Sequence, residues 1–264
     1  MRTLALRRTA LAASAAALAL LATACGGSGD GEDKGGDAQA SPRAAKTESA
    51  APAAAKALTA AELEKAALTQ ADVKTGKVVE KVPAAELVAQ DKVAAQKQDC
   101  VPLAQLQVGS YVGKPAATVQ REWKGDPKKP AADATAEEQF LAGLDATQVL
   151  VTLASYEDGG AEQAMKELNA AVTSCAGGFT FTSPGDSTDV TKVAKTDAPQ
   201  GGDEALAVTS AVDVDGDTMP VKAVVVRVGA TLAYFPALNI GAASAGQDYD
   251  FPTEILDAQL AKLK

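Results

Sequence analysis

The sequence predicts an α+β domain in which a twisted antiparallel sheet carries helices packed on one face. Three observations lead to this prediction. Several short segments alternate polar and apolar residues with the period of a β-strand, two segments repeat apolar residues with the period of a helix, and short turn sequences connect consecutive strands. Short turns join antiparallel strands, whereas parallel strands need long crossover connections. We expect one domain over residues 58–264.

The first half of this domain is predicted to contain one helix and three strands. Thr59 and Glu62 form a capping-box pattern, whose side-chain oxygens accept hydrogen bonds from free backbone N–H groups at a helix start. Strands are predicted at residues 77–82, 118–123 and 147–156. In the third of these strands, alternate residues would lie on opposite faces of the sheet. One set is Val149, Val151, Leu153 and Ser155, and the other is Leu150, Thr152, Ala154 and Tyr156.

The second half opens with the most regular helical pattern of the chain. Between residues 161 and 175 apolar side chains recur at helical spacing, and Gly177-Gly178 ends the pattern. Asp215-Gly216-Asp217 predicts a hairpin turn between two of the strands that follow. A closing helix is predicted over residues 252–264, and we expect both helices to cover the same sheet face. The five predicted strands are 179–182, 188–195, 204–214, 220–229 and 231–236.

Residues 1–24 have the pattern of an export signal that is removed. Three arginines precede an apolar run that is too short for a permanent membrane-spanning helix. Small residues then lead into Cys25 as in the lipobox of bacterial lipoproteins, although Ala22 stands where that motif usually has Leu. We predict cleavage before Cys25, acylation of Cys25 with palmitate among the acyl chains, and a lipid anchor at the outer face of the cytoplasmic membrane. An ordinary secretory signal or a short uncleaved anchor is the alternative.

Residues 25–57 are predicted to be the lipidated cysteine followed by a disordered linker. Gly, Ser, Asp, Ala and Pro predominate, so the segment cannot bury enough apolar surface to offset the entropy lost on ordering. About thirty flexible residues reach on the order of 30 Å. Removing the signal deletes three arginines and no acid, which takes the formal charge from −9 to −12. Because an acidic chain is a poor ligand for phosphates, we expect no nucleic-acid partner.

Two cysteines remain besides Cys25. Cys100 and Cys175 would lie in an oxidising compartment, where such a pair favours a disulfide. The bond would close a loop of about 75 residues, worth about 4.5 kcal/mol in the chain-entropy model. Two buried free thiols are the alternative.

No combination of residues points to catalysis, a metal or a cofactor. The sequence has no histidine, which excludes Ser-His-Asp and Cys-His catalysis and His-containing zinc sites. Carboxylate or Ser–Lys chemistry is compatible with the composition, but a Ser-x-x-Lys motif is absent. Residues 213–217 carry three alternating acids, yet the position that is Glu in an EF-hand is Val224 here. We therefore predict a solvated turn at this place, no catalytic residue, no metal and no cofactor.

A set of segments spread over residues 58–264 carries a resemblance to a known family. Besides the C-terminal helix, they are Leu58-Thr59-Ala60-Ala61-Glu62-Leu63, Asp99-Cys100, Val149-Leu150-Val151-Thr152-Leu153, the helix from Ala161 that ends in Thr173-Ser174-Cys175, and Val224-Val225-Val226-Arg227-Val228-Gly229. With these segments the chain resembles the PknH-like extracellular sensor domain of actinobacterial receptor kinases and lipoproteins. The resemblance implies a twisted antiparallel sheet with helices and a groove proposed to take a ligand. Kinase members of that family have a second disulfide, a kinase domain and a transmembrane helix, none of which this sequence shows.

The expected function is that of a membrane-anchored, non-catalytic domain that binds an envelope ligand or a protein partner. An envelope enzyme that uses carboxylates or a Ser–Lys pair, and a structural lipoprotein of envelope assembly, are the alternatives. A concave site with a few converging polar groups would favour binding. Two carboxylates about 5 to 10 Å apart in a cleft would favour hydrolysis.

Overall fold

The structure is a computed structural model that describes residues 55–264. Cys25, the predicted signal and nearly all of the predicted linker lie outside the described residues, so the statements made about them remain predictions. Within residues 55–264, no helix has the length and apolar character needed to cross a membrane.

Residues 55–264 form six α-helices and nine strands. In chain order these are α1 (Ala60–Ala66), β1 (Lys77–Val79), β2 (Ala94–Ala95), α2 (Val101–Gln107), β3 (Ala117–Lys124), α3 (Ala136–Leu144), β4 (Gln148–Ser155), α4 (Gly160–Ser174), β5 (Phe179–Ser183), β6 (Asp186–Thr196), β7 (Glu204–Val214), β8 (Asp217–Val228), β9 (Thr231–Leu238), α5 (Ile240–Ser244) and α6 (Thr253–Lys262).

All nine strands belong to one antiparallel sheet. Their order is β1-β3-β4-β9-β8-β7-β6-β5-β2, and every neighbouring pair is antiparallel. The edge strands have only three and two residues, which leaves few unpaired backbone groups at the edges. The predicted hairpin joins β7 to β8 through Asp215 and Gly216, whose φ angles of 54° and 92° are those a two-residue hairpin turn requires.

Helices cover both faces of the sheet. On the first, face A, α2 and α4 pack against Leu206, Val225 and Tyr234. On the second, face B, α1, α5 and α6 pack against a separate cluster that includes Val224 and Val226. The predicted α+β class and antiparallel sheet are confirmed, but α4 and α6 do not share one face. Since three consecutive valines of β8 are buried, both sides of this strand need a cover, and a single helical layer cannot provide it.

The local patterns of the sequence appear as predicted. In the capping box, the Glu62 backbone N–H donates to Thr59 Oγ1 at 3.3 Å and the Thr59 N–H donates to Glu62 Oε2 at 2.8 Å. The two alternating sets predicted for β4 lie on opposite faces of the sheet. The set that begins at Val149 contributes to the cluster of face B, and the set that ends at Tyr156 contributes to the cluster of face A. The predicted stripe of α4 is buried along its length, namely Ala161, Ala164, Met165, Leu168 and Val172.

Candidate functional site

A pocket of about 500 Å³ lies between α2 and α4, and we call it the α2–α4 pocket. Its volume falls within the range of small-molecule sites. Apolar side chains of α2 and of the loop after it form part of the wall, among them Val101, Pro102 and Val112. The polar lining consists of Gln90, Gln98, Asp99, Gln105, Glu167 and Ser174.

A disulfide fixes two of the walls relative to each other. Cys100 stands directly before α2 and Cys175 directly after α4, and the two are bonded with a Cα–Cα distance of 5.9 Å. Both cysteines are fully buried. The predicted disulfide is thus present, and its neighbours in sequence, Asp99 and Ser174, both line the pocket.

Buried tyrosines hold the third wall, the loop 109–113. The Tyr156 hydroxyl donates to the carbonyl of Val112 at 2.7 Å and lies 2.8 Å from the Tyr234 hydroxyl, which accepts from the Val112 N–H at 3.3 Å. Burial raises the pKa of Tyr234 to about 12 and that of Tyr156 well above its ordinary value, so both hydroxyls keep their protons. Gln90 Nε2 donates to two further carbonyl oxygens of this loop at 3.0 and 2.8 Å.

Gln105 is the polar group that marks the pocket as a site. Its exposed fraction is 7%, and its side-chain amide makes no hydrogen bond with any of residues 55–264. The amide atoms are not among the fully buried side-chain atoms that lack a partner, so they are open to the pocket. The Gln105 amide can therefore form hydrogen bonds with a molecule bound there.

Two carboxylates give the pocket a negative potential. Glu167 is half-buried on α4 and Asp99 is exposed at the rim, whereas no lysine or arginine belongs to the described lining. Gln163 Nε2 donates to Glu167 Oε1 at 2.8 Å. Burial is the main cause of the raised pKa of Tyr234, and the negative charge of Glu167 adds to it.

Two other concave regions each have a lining residue that takes part in an ion pair. A groove of about 230 Å³ on face A is floored by Leu150 and Pro236, and its Glu122 lies 3.2 Å from the Lys124 ammonium. A third region of about 490 Å³ lies between α3 and α5, and there an ion pair of 3.6 Å joins Lys128 and Asp145. The α2–α4 pocket is the candidate site because a disulfide and a hydrogen-bonded loop hold its walls and the amide of Gln105 lines it.

The groups that line the candidate site suit binding by hydrogen bonds and charge. Within residues 55–264, no three His, Cys, Asp or Glu side chains are placed to hold a metal ion together. The acids of residues 213–217 form the exposed β7–β8 turn, where Asp213 Oδ1 accepts from the Gly216 N–H at 3.3 Å. Of the predicted site residues, Cys100 and Cys175 border the pocket, and Cys25 lies outside the described residues. Gln105 and Glu167 were not predicted, because a single Gln or Glu on a helix gives no signal in a sequence.

No known family profile matches this chain, and no curated protein matches it in sequence. Among solved structures, it is similar to the extracellular domain of PknH from Mycobacterium tuberculosis, with 11% identity, a TM-score of 0.40, and coverage of 79% of this chain and 95% of that chain. It is also similar to a putative uncharacterized protein from Mycobacterium smegmatis, with 13% identity, a TM-score of 0.30, and coverage of 70% and 80%. The first of these is the domain for which the family resembled by the sequence is named.

Proposed function

We propose that this chain is a lipid-anchored extracytoplasmic protein whose domain binds a ligand in the α2–α4 pocket without transforming it. The observation that carries the proposal is Gln105, a nearly fully buried residue whose amide lines the pocket and has no hydrogen-bond partner among residues 55–264. An amide in this position can fix the orientation of a bound molecule.

The walls of the pocket are held in place before a ligand arrives. The disulfide joins α2 to α4, and Tyr156, Tyr234 and Gln90 bond the loop 109–113. A site whose walls are already ordered loses less conformational entropy on binding, which raises affinity. Preorganisation of this kind fits recognition of a small molecule.

The proposed anchor rests on Cys25 and on the place where the described chain begins. The backbone N–H of Leu58 donates to Ser155 Oγ at 2.8 Å, at the end of β4. Ala55 lies against Gly229, in the turn between β8 and β9. A linker from Cys25 therefore enters the domain at one end of the strands, and the lipid supplies the membrane attachment that the acidic chain does not.

The anchor is tested with the full chain and its Cys25→Ala variant, expressed in an actinobacterial host that is fed a labelled palmitate. The full chain should incorporate label and sediment with membranes, whereas the variant should do neither. Label of equal intensity in the variant would contradict acylation at Cys25.

Ligand binding is tested by native mass spectrometry of the full chain, extracted in mild detergent from its own host. The wild-type chain should carry a small molecule that Gln105→Leu lacks. Gln107→Leu is the matched control, because Gln107 is on the same helix but donates to Ser210 Oγ at 2.6 Å, outside the pocket. A wild-type chain without any bound molecule would contradict the proposal, and release of the molecule in a chemically altered form would contradict its non-catalytic part.

A further inference from the structure

We infer that the α2–α4 pocket selects ligands that carry a positively charged amine alongside neutral hydrogen-bonding groups, and that it rejects anions. This inference rests on the proposed function, since it specifies the chemistry of the ligand for the same pocket. Three independent features of the lining support it.

The first feature is the balance of charge. Asp99 and Glu167 line the pocket, and no basic side chain of the described lining opposes them. Three lysines adjoin lining residues in sequence without belonging to the lining. Lys97 places its ammonium 3.4 Å from the carbonyl oxygen of Gly178, and Lys114 and Lys166 are exposed. An anion entering the pocket would meet two like charges, whereas a cation would meet two opposite ones.

The second feature is an excess of hydrogen-bond acceptors. Gln90 uses its Nε2 on the loop 109–113, which leaves its Oε1 as the free group. Both carboxylates can only accept hydrogen bonds. Of the three glutamines in the lining, Gln105 is the one that is buried, and both N–H groups of its side chain are free to donate. An ammonium has three donors and no acceptor, so it complements this lining, and neutral hydroxyl or carbonyl groups of the same ligand can accept from Gln105.

The third feature is the end of α4. Ala170, Ala171 and Ser174 belong to the last turn of this 15-residue helix and line the pocket. The carbonyl end of a helix carries a partial negative charge that favours cations within about one turn. The carbonyl end of α4 therefore adds to the carboxylates, whereas the amino end of the seven-residue α2, whose Val101 and Pro102 also line the pocket, acts in the opposite direction.

Three sugars of nearly equal shape test the inference, because glucosamine is a cation, glucose is neutral and glucuronate is an anion at about pH 6.5. Each is titrated into the ¹⁵N-labelled full chain carrying Cys25→Ala, and the amide resonances of Gln105 and the loop 109–113 report binding. Glucosamine should bind at least about fivefold more tightly than glucose, and glucuronate should bind most weakly. Glu167→Gln and Asp99→Asn should each reduce the preference for glucosamine about threefold. Asp257→Asn on α6, which removes the same charge on the opposite face, should leave it unchanged.

Each outcome bears on one statement. Equal binding of glucose or glucuronate overturns the charge preference and leaves ligand binding in the pocket standing. Failure of all three sugars to move the resonances of the pocket overturns the inference about amine-bearing ligands. The proposed function is decided separately, by the molecule that copurifies with the wild-type chain and not with Gln105→Leu.

Discussion

Removing the Cys100–Cys175 disulfide should cost this domain a large part of its stability. The bond spans 75 residues of sequence. In the chain-entropy model, closing a loop of that length removes about 4.5 kcal/mol of conformational freedom from the unfolded chain. Both sulfurs are fully buried, so the Cys100→Ala/Cys175→Ala double variant removes the link while adding no polar group to the core.

The measurement is urea unfolding of the full chain, followed by circular dichroism. A domain of this size has a denaturant dependence of about 3 kcal/mol per molar urea, so a loss of about 4.5 kcal/mol lowers the unfolding midpoint by about 1.5 M. Thr173→Ala is the control, because Thr173 is exposed on the last turn of α4 and its change should stay within about 0.5 kcal/mol.

A midpoint lowered by less than about 0.3 M would refute the chain-entropy reasoning for this bond. Chemical reduction of the wild-type chain gives a second reading without any substitution, and it should lower the midpoint by a similar amount. A double variant that weakens the domain while reduction does not would trace the loss to the missing sulfur atoms in the core.

Three further predictions concern the stability of the domain, and urea unfolding measures all of them. Arg121→Ala should cost about 3 kcal/mol, because the buried guanidinium donates to two backbone carbonyls and lies 2.7 Å from a carboxylate oxygen of Glu64. Glu64→Gln should cost less than about 1 kcal/mol, because that side chain is 58% exposed, and an equal loss in both variants would contradict the assignment. Since burial raises the pKa of Tyr234 from 10.0 to about 12, the folded state holds the proton more tightly. Stability from this group should be complete below pH 10 and should decline by roughly 3 kcal/mol as the pH rises to 12, with a shallower decline in Tyr234→Phe. Thr59 and Thr135 each form a capping box, at the start of α1 and of α3 respectively. Thr59→Ala should cost about 1 kcal/mol of stability, whereas Thr135→Ala should cost less, because α3 buries no side chain. Equal losses in the two variants would contradict this reasoning.

The strands could be predicted because their periodicity is local. In β4 and β7 the alternation of apolar residues is long enough to indicate a strand without any knowledge of its neighbours. The stripe on α4 is equally clear. Periodicity, however, shows which residues are buried and not which layer buries them, and this is why the placement of α4 and α6 on one face was wrong.

Three helices, α2, α3 and the five-residue α5, were missed, the first two for opposite reasons. Helix α2 has only seven residues, and the four from Leu103 to Leu106 are all buried, so it shows no polar face and no period. Helix α3 shows the reverse, since Phe140, Leu141 and Leu144 are exposed, with Phe140 66% exposed. The capping box formed by Thr135 and Glu138 is visible in the sequence. Prediction from periodicity, however, looks for an apolar stripe that faces a core, and the apolar residues of α3 do not face one.

The candidate site could be predicted only through its disulfide. The bond places Asp99 beside Ser174, residues 75 positions apart in the chain, and so the two cysteines indicate where α2 and α4 meet. What the cysteines cannot indicate is that Gln105 lines the same pocket as the loop 109–113, since that loop is held by tyrosines far along the chain.

The disulfide thus has two roles that follow from one position. It lies at the boundary of the pocket, so the constraint that stabilises the fold is also the constraint that sets the distance between Asp99 on one wall and Glu167 on the other. A cross-link elsewhere along these helices would stabilise the domain as well, because loop-closure entropy depends on sequence separation and not on place. Only a link at the pocket also keeps two carboxylates and an unpartnered amide facing the same small volume, and that arrangement is what a cationic, hydrogen-bonding ligand requires.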